Sequence, residues 1–204
     1  MVRDDRMKVL VAHVIITAYG FWLPNDPRGS WSDFVGAWEL LRYGRATKVT
    51  TRRSVAHVPH DRELRLRAKR SLKYEPVRFT GVQARAIGRG FGRAVEEGSY
   101  RIHACAVLRD HVHLVIGNHD RSYEQIVGHL KGRATQQLRA ENVHAFLTHE
   151  RPDGSLPSPW AEGLWKVYCH DLDHVRNAIE YARNNPLREG LRPQRWRFVV
   201  PYTF

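Results

Sequence analysis

Runs of apolar and β-branched residues predict several strands along this chain. The predicted strands are residues 9–17, residues 101–109, a run that starts at His111, and residues 165–169. Asp110 is a tight connection between the second strand and the third. Turn-forming residues separate these runs from the other elements.

Apolar residues three and four positions apart predict two long helices between the strands. The first spans residues 80–97, and Thr80 can cap it. The second spans about residues 122–140, and Ser122 with Gln125 makes a capping box at its start. The expected buried stripes are Ile87, Phe91 and Val95 in the first helix, and Ile126, Leu130, Ala134 and Leu138 in the second.

A last helix is predicted to begin near Asp171 or Asp173, since either residue can cap it. It is expected to stop at Asn185, because Pro186 disfavours helical geometry in the residue before it. Its expected buried stripe consists of Leu172, Val175, Ile179 and Ala182. The succession strand, helix, strand, strand, helix, strand, helix predicts an α+β fold in which helices pack on an antiparallel sheet.

The segment from about residue 20 to residue 75 departs from this regular succession. Its first part is rich in Pro, Gly, Asn and Asp, which mark turns and irregular structure. Residues 62–73 are strongly basic and could form a short helix. We therefore expect a single domain over residues 1–204, with an irregular and basic insertion over about residues 20–75.

The charge of the chain narrows the classes of partner. The 204 residues are 42% hydrophobic, which is enough for one domain with a core. Lys and Arg total 33 against 21 Asp and Glu, a formal net charge of +12. This surplus favours a polyanionic partner, most often nucleic acid. The alternatives are an unspecialised basic surface or an anionic membrane.

The sequence predicts neither a membrane span nor a secretory segment. The longest apolar run, residues 9–18, is too short to cross a bilayer and contains His13. Asp4 and Asp5 stand where a signal peptide would be basic. The two cysteines make no disulfide framework. The simplest expectation is a cytoplasmic protein with reduced thiols.

Two histidines flank one apolar residue at the start of the third strand. Side chains alternate along a strand, so His111 and His113 share one face while Val112 points to the other. The two Cα atoms should lie about 6 to 7 Å apart, which suits two ligands on one divalent metal. Taken alone, such a pair is more often two half-exposed histidines. His103, on the preceding strand, is a candidate to support the pair.

A tyrosine and an asparagine share the polar side of the last helix. Tyr181 points away from the predicted buried stripe, and Asn185 follows one turn later on the same side. His174 and Asn177 lie on this side too. An exposed tyrosine near a helix end is common, but it becomes more specific beside the two histidines.

This combination resembles the single-tyrosine HUH nucleases, a class named for two histidines around a hydrophobic residue. The chain is most similar to the REP-associated tyrosine transposases, with the insertion-sequence transposases as cousins. The matching stretches, in the family's order, are LRDHVHLVI (108–116), KGR (131–133), LWK (164–166) and YARNNPLREGL (181–191). The chain departs from the family at Leu108 and Arg109, where Met-Pro is usual.

The resemblance implies a ferredoxin-like antiparallel sheet with helices packed on it, the architecture of HUH nucleases. It places the metal-binding histidines at His111 and His113, the nucleophile at Tyr181 and the third metal ligand at Asn185. The implied activity is metal-dependent cutting and rejoining of DNA through a 5′-phosphotyrosine link. We expect Mn²⁺ to serve at least as well as Mg²⁺, because imidazole suits softer ions than Mg²⁺.

The resemblance also implies single-stranded DNA next to a hairpin as the substrate, bound by a monomer or a homodimer. The candidate phosphate contacts are Arg85, Arg89, Arg93, Lys131, Arg133 and Arg139, about half of which are expected to be ordinary solvated side chains. Two alternatives remain open. One is a nucleic-acid-binding relative that has lost activity, and the other is a metal-dependent hydrolase that uses water instead of Tyr181.

Overall fold

The computed structural model of the chain describes residues 8–21 and 61–204, together with Leu40 and Tyr43. Within these residues the strands are β1 (Val11–Thr17), β2 (Ile102–Val107), β3 (His111–Gly117) and β4 (Trp165–Cys169). The helices are α1 (Arg62–Arg70), α2 (Gly81–Gly98), α3 (Tyr123–Ala140) and α4 (Leu172–Arg188). A 3-10 turn at Leu147–His149 lies between α3 and β4 in the sequence. All four predicted strands are confirmed.

The four strands form one antiparallel sheet in the order β2-β3-β1-β4. The two central strands, β1 and β3, are separated in sequence by α1, α2 and β2. The four strands, taken together with α2 and α3, follow the β-α-β-β-α-β succession of ferredoxin-like folds. The predicted α+β class, with helices on an antiparallel sheet, is confirmed.

The larger core lies between the sheet and the pair α2 and α3. Alternate residues of β1 and β3 enter this core, and α2 and α3 cover them with the stripes predicted from the sequence. The fully buried members include Ile87, Phe91, Ile126, Leu130, Ala134 and Leu138. Val95 is partly buried and packs against the same core.

Local sequence explains where α2 and α3 begin. Thr80 and Gln83 make a capping box at α2, and Ser122 with Gln125 makes the predicted one at α3. The two helices also approach closely, because a Cβ added to Gly90 would lie 2.6 Å from Ala134 Cα. A glycine at this point therefore lets the backbones meet.

The other face of the sheet is covered by α4. Val175, Ile179 and Ala182 pack there against alternate strand residues such as Val11 and Val115. The prediction that Leu172 belongs to this stripe is wrong, since it is 46% exposed. Leu172 is the first residue of the helix, and the buried stripe starts one turn later.

The prediction that the last helix stops at Asn185 is also wrong. The helix continues through Pro186 to Arg188. Asn185 is buried and contacts β3, so tertiary packing overrides the local preference of the residue before proline. Glu189 N–H donates to Asn185 O at 3.1 Å and closes the last turn. The extra turn brings Arg188 and Glu189 towards the same end of the sheet.

Most of the predicted insertion over residues 20–75 lies outside the described residues. Its basic part forms α1, which begins at an N-cap by Asp61. Ala68 of this helix packs with Leu40. None of the helices in the described part of the chain is both long enough and apolar enough to cross a membrane.

Candidate active site

Two histidines and one asparagine converge on the face of the sheet that α4 covers. The Nε2 atoms of His111 and His113 lie 3.0 Å apart. The Asn185 amide nitrogen lies 3.0 Å from His113 Nε2. His113 and Asn185 are buried. The structure therefore brings together, within one chain, the three side chains predicted to hold a metal.

The predicted nucleophile lies beside this group. The ring of Tyr181 is centred 5.3 Å from the ring of His113, and its side chain is 43% exposed. Asn185 is one helical turn further along α4, as its i+4 spacing requires. A substrate arriving from solvent can thus reach the phenol while the asparagine stays buried beneath it.

A carboxylate sets the orientation of the first histidine. His111 Nδ1 lies 2.8 Å from Asp110 Oδ1. An N–H on Nδ1 donates to this carboxylate and leaves the lone pair on Nε2, the atom that faces His113. Carboxylate support of this kind is the usual second layer around a metal-binding histidine.

A third histidine, His13, supports His113 from the neighbouring strand. His13 of β1 pairs across the sheet with Val115, which makes it a diagonal neighbour of His113. His13 Nε2 lies 3.0 Å from His113 Nδ1. When His113 donates Nδ1–H to His13, its own Nε2 keeps a lone pair towards His111 and Asn185.

Burial favours the neutral form of the His13 and His113 imidazoles because it lowers the pKa of both. It lowers the pKa of His13 to about 4, with a smaller contribution from the charge of His174. Burial also holds the pKa of His113 well below its ordinary value, and the neighbouring His111 and His13 act in the same direction. Neutral imidazole is the form that binds metal ions.

The donor set fits a divalent cation. When both Nδ1 atoms donate hydrogen bonds, the lone pairs of His111 Nε2 and His113 Nε2 face each other. A cation between the two atoms would relieve the repulsion between these lone pairs. Rotating the Asn185 amide presents its oxygen at the same place. Among the described residues, no three His, Cys, Asp or Glu side chains are grouped to hold a metal. A metal ion held by His111 and His113 would therefore take the amide of Asn185 as its third donor.

The extra turn of α4 adds two charges that the sequence analysis missed. Glu189 Oε1 lies 4.0 Å from His111 Nε2. The guanidinium carbon of Arg188 lies 5.2 Å from the ring centre of Tyr181. Tyr181, Asn185 and Glu189 are spaced i, i+4 and i+8, so the periodicity would have revealed Glu189 had the helix been extended past Pro186.

Four of the six predicted phosphate contacts make hydrogen bonds within the protein, and three of these four are arginines. Arg89 donates to Glu141, with Nε at 2.7 Å from Oε1. Arg133 Nε donates to Glu97 Oε2 at 2.7 Å. Arg139 Nη2 donates to the carbonyl of Gly154 at 3.1 Å. Because carboxylates already partner Arg89 and Arg133, these two are less available to DNA.

Lys131 is held inside the protein. Its Nζ donates to the carbonyls of Ala161 at 2.8 Å and Gly163 at 2.7 Å. Burial lowers its pKa to about 8. This side chain therefore fastens the loop before β4. Arg85 and Arg93 are exposed and remain predicted phosphate contacts.

The histidine that supports the pair differs from the predicted one. His103 Nδ1 contacts the carbonyl of Val200 at 3.2 Å, and its ring packs against Tyr202. The supporting residue is His13, which the sequence analysis had noted only as an interruption of an apolar run. A histidine in an otherwise apolar, buried strand was the available signal.

No protein-family model matches the chain, and no curated protein matches it in sequence. One solved structure that it is similar to is described as "Structure of the REP associates tyrosine transposase bound to a REP hairpin". The TM-score is 0.47 and the identity 11%, over 93% of this chain and 74% of that one.

Proposed function

We propose that this chain is a metal-dependent, single-tyrosine HUH enzyme that cuts and rejoins single-stranded DNA next to hairpins. The observation that carries the proposal is the meeting of Tyr181 with the convergent group of His111, His113 and Asn185. This geometry agrees with the roles that the sequence resemblance gives to the four residues. The proposal covers the hairpin substrate, the metal and the covalent intermediate.

The cutting step is a displacement at phosphorus. Tyr181 Oη forms a bond to the phosphorus, and the bond from phosphorus to the 3′ oxygen breaks. The phenol proton passes to water, which the half-exposed side chain contacts, and the departing 3′ oxygen takes a proton from water. The products are a 5′-phosphotyrosine and a free 3′-hydroxyl. Attack by a 3′-hydroxyl reverses the step and joins strands without ATP.

The buried residues hold the site ready for this step. His111, His113 and Asn185 would hold a Mg²⁺ or Mn²⁺ ion. Bound there, the ion would polarise the scissile phosphate and neutralise charge on its oxygens. Asp110 and His13 fix the two imidazoles in the form that presents Nε2.

A second positive charge stands beside the nucleophile. Arg188 lies over the ring of Tyr181, where the negative phosphate must arrive. Its guanidinium can attract the phosphate and position it for attack. Since a single chain contains all of these groups, we propose that a monomer can hold a complete site.

The decisive experiment detects the covalent link. Purified protein is incubated with a labelled single strand that carries a hairpin, in the presence of Mn²⁺ or Mg²⁺. We expect a protein–DNA band that survives denaturation. Tyr181→Phe should abolish this band and leave noncovalent binding intact, because it removes only the attacking oxygen.

The matched control is Tyr168→Phe. Tyr168 lies on β4 and is 39% exposed, close to the 43% of Tyr181. The control should retain the covalent band. Cutting that continues in Tyr181→Phe would instead favour a hydrolase that uses water, and binding without any cutting would favour an inactive relative.

A further inference from the structure

A cleft of about 650 Å³ opens at one corner of the sheet, next to the candidate active site. It lies between the start of α2, the end of β2 and residues 191–196, which follow α4. Its volume falls within the range of about 300–1,000 Å³ that is typical of ligand sites in proteins. We call this feature the arginine cleft, after the residues that line it.

Five arginines line the arginine cleft. They are Arg78, Arg85, Arg109, Arg192 and Arg195. All five are exposed. Within the described residues none of the five forms an ion pair, whereas Arg89, Arg133 and Arg176 each have a carboxylate partner. Five like charges around one cavity repel each other, and a bound polyanion would relieve that repulsion.

The outer wall of the arginine cleft is fixed to the sheet. Gln194 Nε2 donates to Val107 O at 2.7 Å, and Val107 N–H donates to Gln194 Oε1 at 2.8 Å. Trp196 Nε1–H donates to Cys105 O at 3.1 Å. These bonds fix the segment that carries Arg192 and Arg195 against β2.

Two chain connections join the cleft to the candidate active site. Arg109 precedes Asp110, the partner of His111, by one residue. At the other side, Leu191 N–H donates to Pro186 O at 2.7 Å, and Pro186 directly follows Asn185 in the chain. The lining of the cleft thus lies one residue from Asp110 at one side and contacts the residue after Asn185 at the other.

We propose that the arginine cleft binds the backbone phosphates of the unpaired DNA strand that leads to the cutting position. The inference rests on the proposed function for the identity of its ligand. The arginines contact phosphates, so this subsite sets the register of the strand without reading its bases.

The test compares the binding of an unpaired strand by two double variants. Arg192→Gln with Arg195→Gln removes two charges from the cleft. Arg89→Gln with Arg176→Gln removes two charges from arginines that are already ion-paired. Fluorescence anisotropy with a short, unstructured, labelled DNA strand, without divalent metal, measures affinity over a range of salt concentrations.

Loss of two phosphate contacts should weaken binding by about 25-fold near 0.1 M salt and lower the salt slope by about 1.4. The double variant with Arg89→Gln and Arg176→Gln should lose less affinity than the double variant with Arg192→Gln and Arg195→Gln. A blunt hairpin without an unpaired strand should bind both variants alike. Equal weakening in the two double variants, or unchanged binding by the cleft variant, overturns the proposal, as does equal weakening for the blunt hairpin.

Failure of the proposed function is visible separately. If the wild-type chain binds the strand in the expected manner but forms no covalent band with Mn²⁺, the enzyme assignment fails and the binding site stands. If the covalent band forms at saturating DNA in both double variants while their strand affinities match, the arginine cleft assignment fails alone. Arg192 and Arg195 are exposed, so their substitution should leave the fold intact, and the thermal unfolding midpoint checks this.

Discussion

The two faces of the sheet are built from adjacent residues of the same strands, yet they carry different chemistry. In β1 and β3, the face under α2 and α3 is lined by apolar side chains such as Val14 and Leu114. The face under α4 carries His13 and His113 next to Val11 and Val115. Strand alternation thus separates the main apolar core from the candidate site by a single residue.

This separation teaches how the fold tolerates buried histidines. The apolar face carries the larger cluster of buried apolar side chains, whose burial stabilises the chain. The α4 face can therefore hold polar rings, provided that their ring nitrogens have partners. Substitutions on the first face should change stability, and substitutions on the second should change metal binding and chemistry.

The largest effect is expected from Phe91→Ala on the apolar face. Phe91 is fully buried between α2 and the sheet. Its truncation should lower the free energy of unfolding by about 3–5 kcal/mol through lost burial and a residual cavity. Urea denaturation measures this change. At low temperature, the folded fraction should still form the covalent DNA band, and a selective loss of that band would contradict the separation of the faces.

Gly90→Ala probes the close crossing of α2 and α3. The new Cβ would meet backbone atoms of Arg133 and Ala134 at 2.6 Å. We expect a loss of about 1–3 kcal/mol in unfolding free energy from overpacking, although alanine favours a helix more than glycine does. Gly128→Ala in α3 is the matched control, because its added Cβ meets nothing within 4 Å. The control should stabilise the chain, and similar effects at the two positions would argue against a tight crossing.

His13→Leu probes the α4 face. Losing the partner of His113 Nδ1 should weaken Mn²⁺ affinity by about 10- to 100-fold, as measured by calorimetric titration. His13→Gln should recover much of the affinity, because its side-chain carbonyl can still accept the Nδ1–H. His103→Leu, at a histidine that is also buried in the sheet, is the control. If all three variants bind Mn²⁺ equally, His13 has only a packing role.

A smaller effect is expected from Asp110→Asn. The asparagine oxygen can still accept from His111 Nδ1, so the variant removes the charge and keeps the hydrogen bond. We expect about a tenfold loss of Mn²⁺ affinity, which is the low end of the roughly 10- to 100-fold range for residues that support metal ligands. The same titration measures it. An effect larger than that of His13→Leu would reverse the proposed ranking of the two supporting groups.

Features that depend on local spacing were predictable from the sequence. Thr80 as a cap marked the start of α2, the Ser122–Gln125 capping box marked the start of α3, and strand alternation put His111 and His113 on one face. The i+4 spacing of Tyr181 and Asn185 likewise survives in the structure. Each of these features involves residues within one or two turns, or within a single strand.

Features that depend on pairing between distant segments were not predictable. His13 and His113 meet only because β1 lies beside β3 in one particular register. Arg89 and Arg133 looked available for DNA, but their carboxylate partners come from another helix or its end. The helix continues past Pro186 because Asn185 is anchored to β3. Periodicity alone contains none of this information.

Gln194 has a consequence beyond the arginine cleft. Its amide satisfies both backbone groups of Val107, on the strand that ends one side of the sheet. An exposed strand edge invites the addition of a strand from another molecule, which leads to aggregation. The side chain of Gln194 thus takes the place of a neighbouring strand at Val107. The backbone groups of Val107 are then not available for pairing with a strand of another molecule.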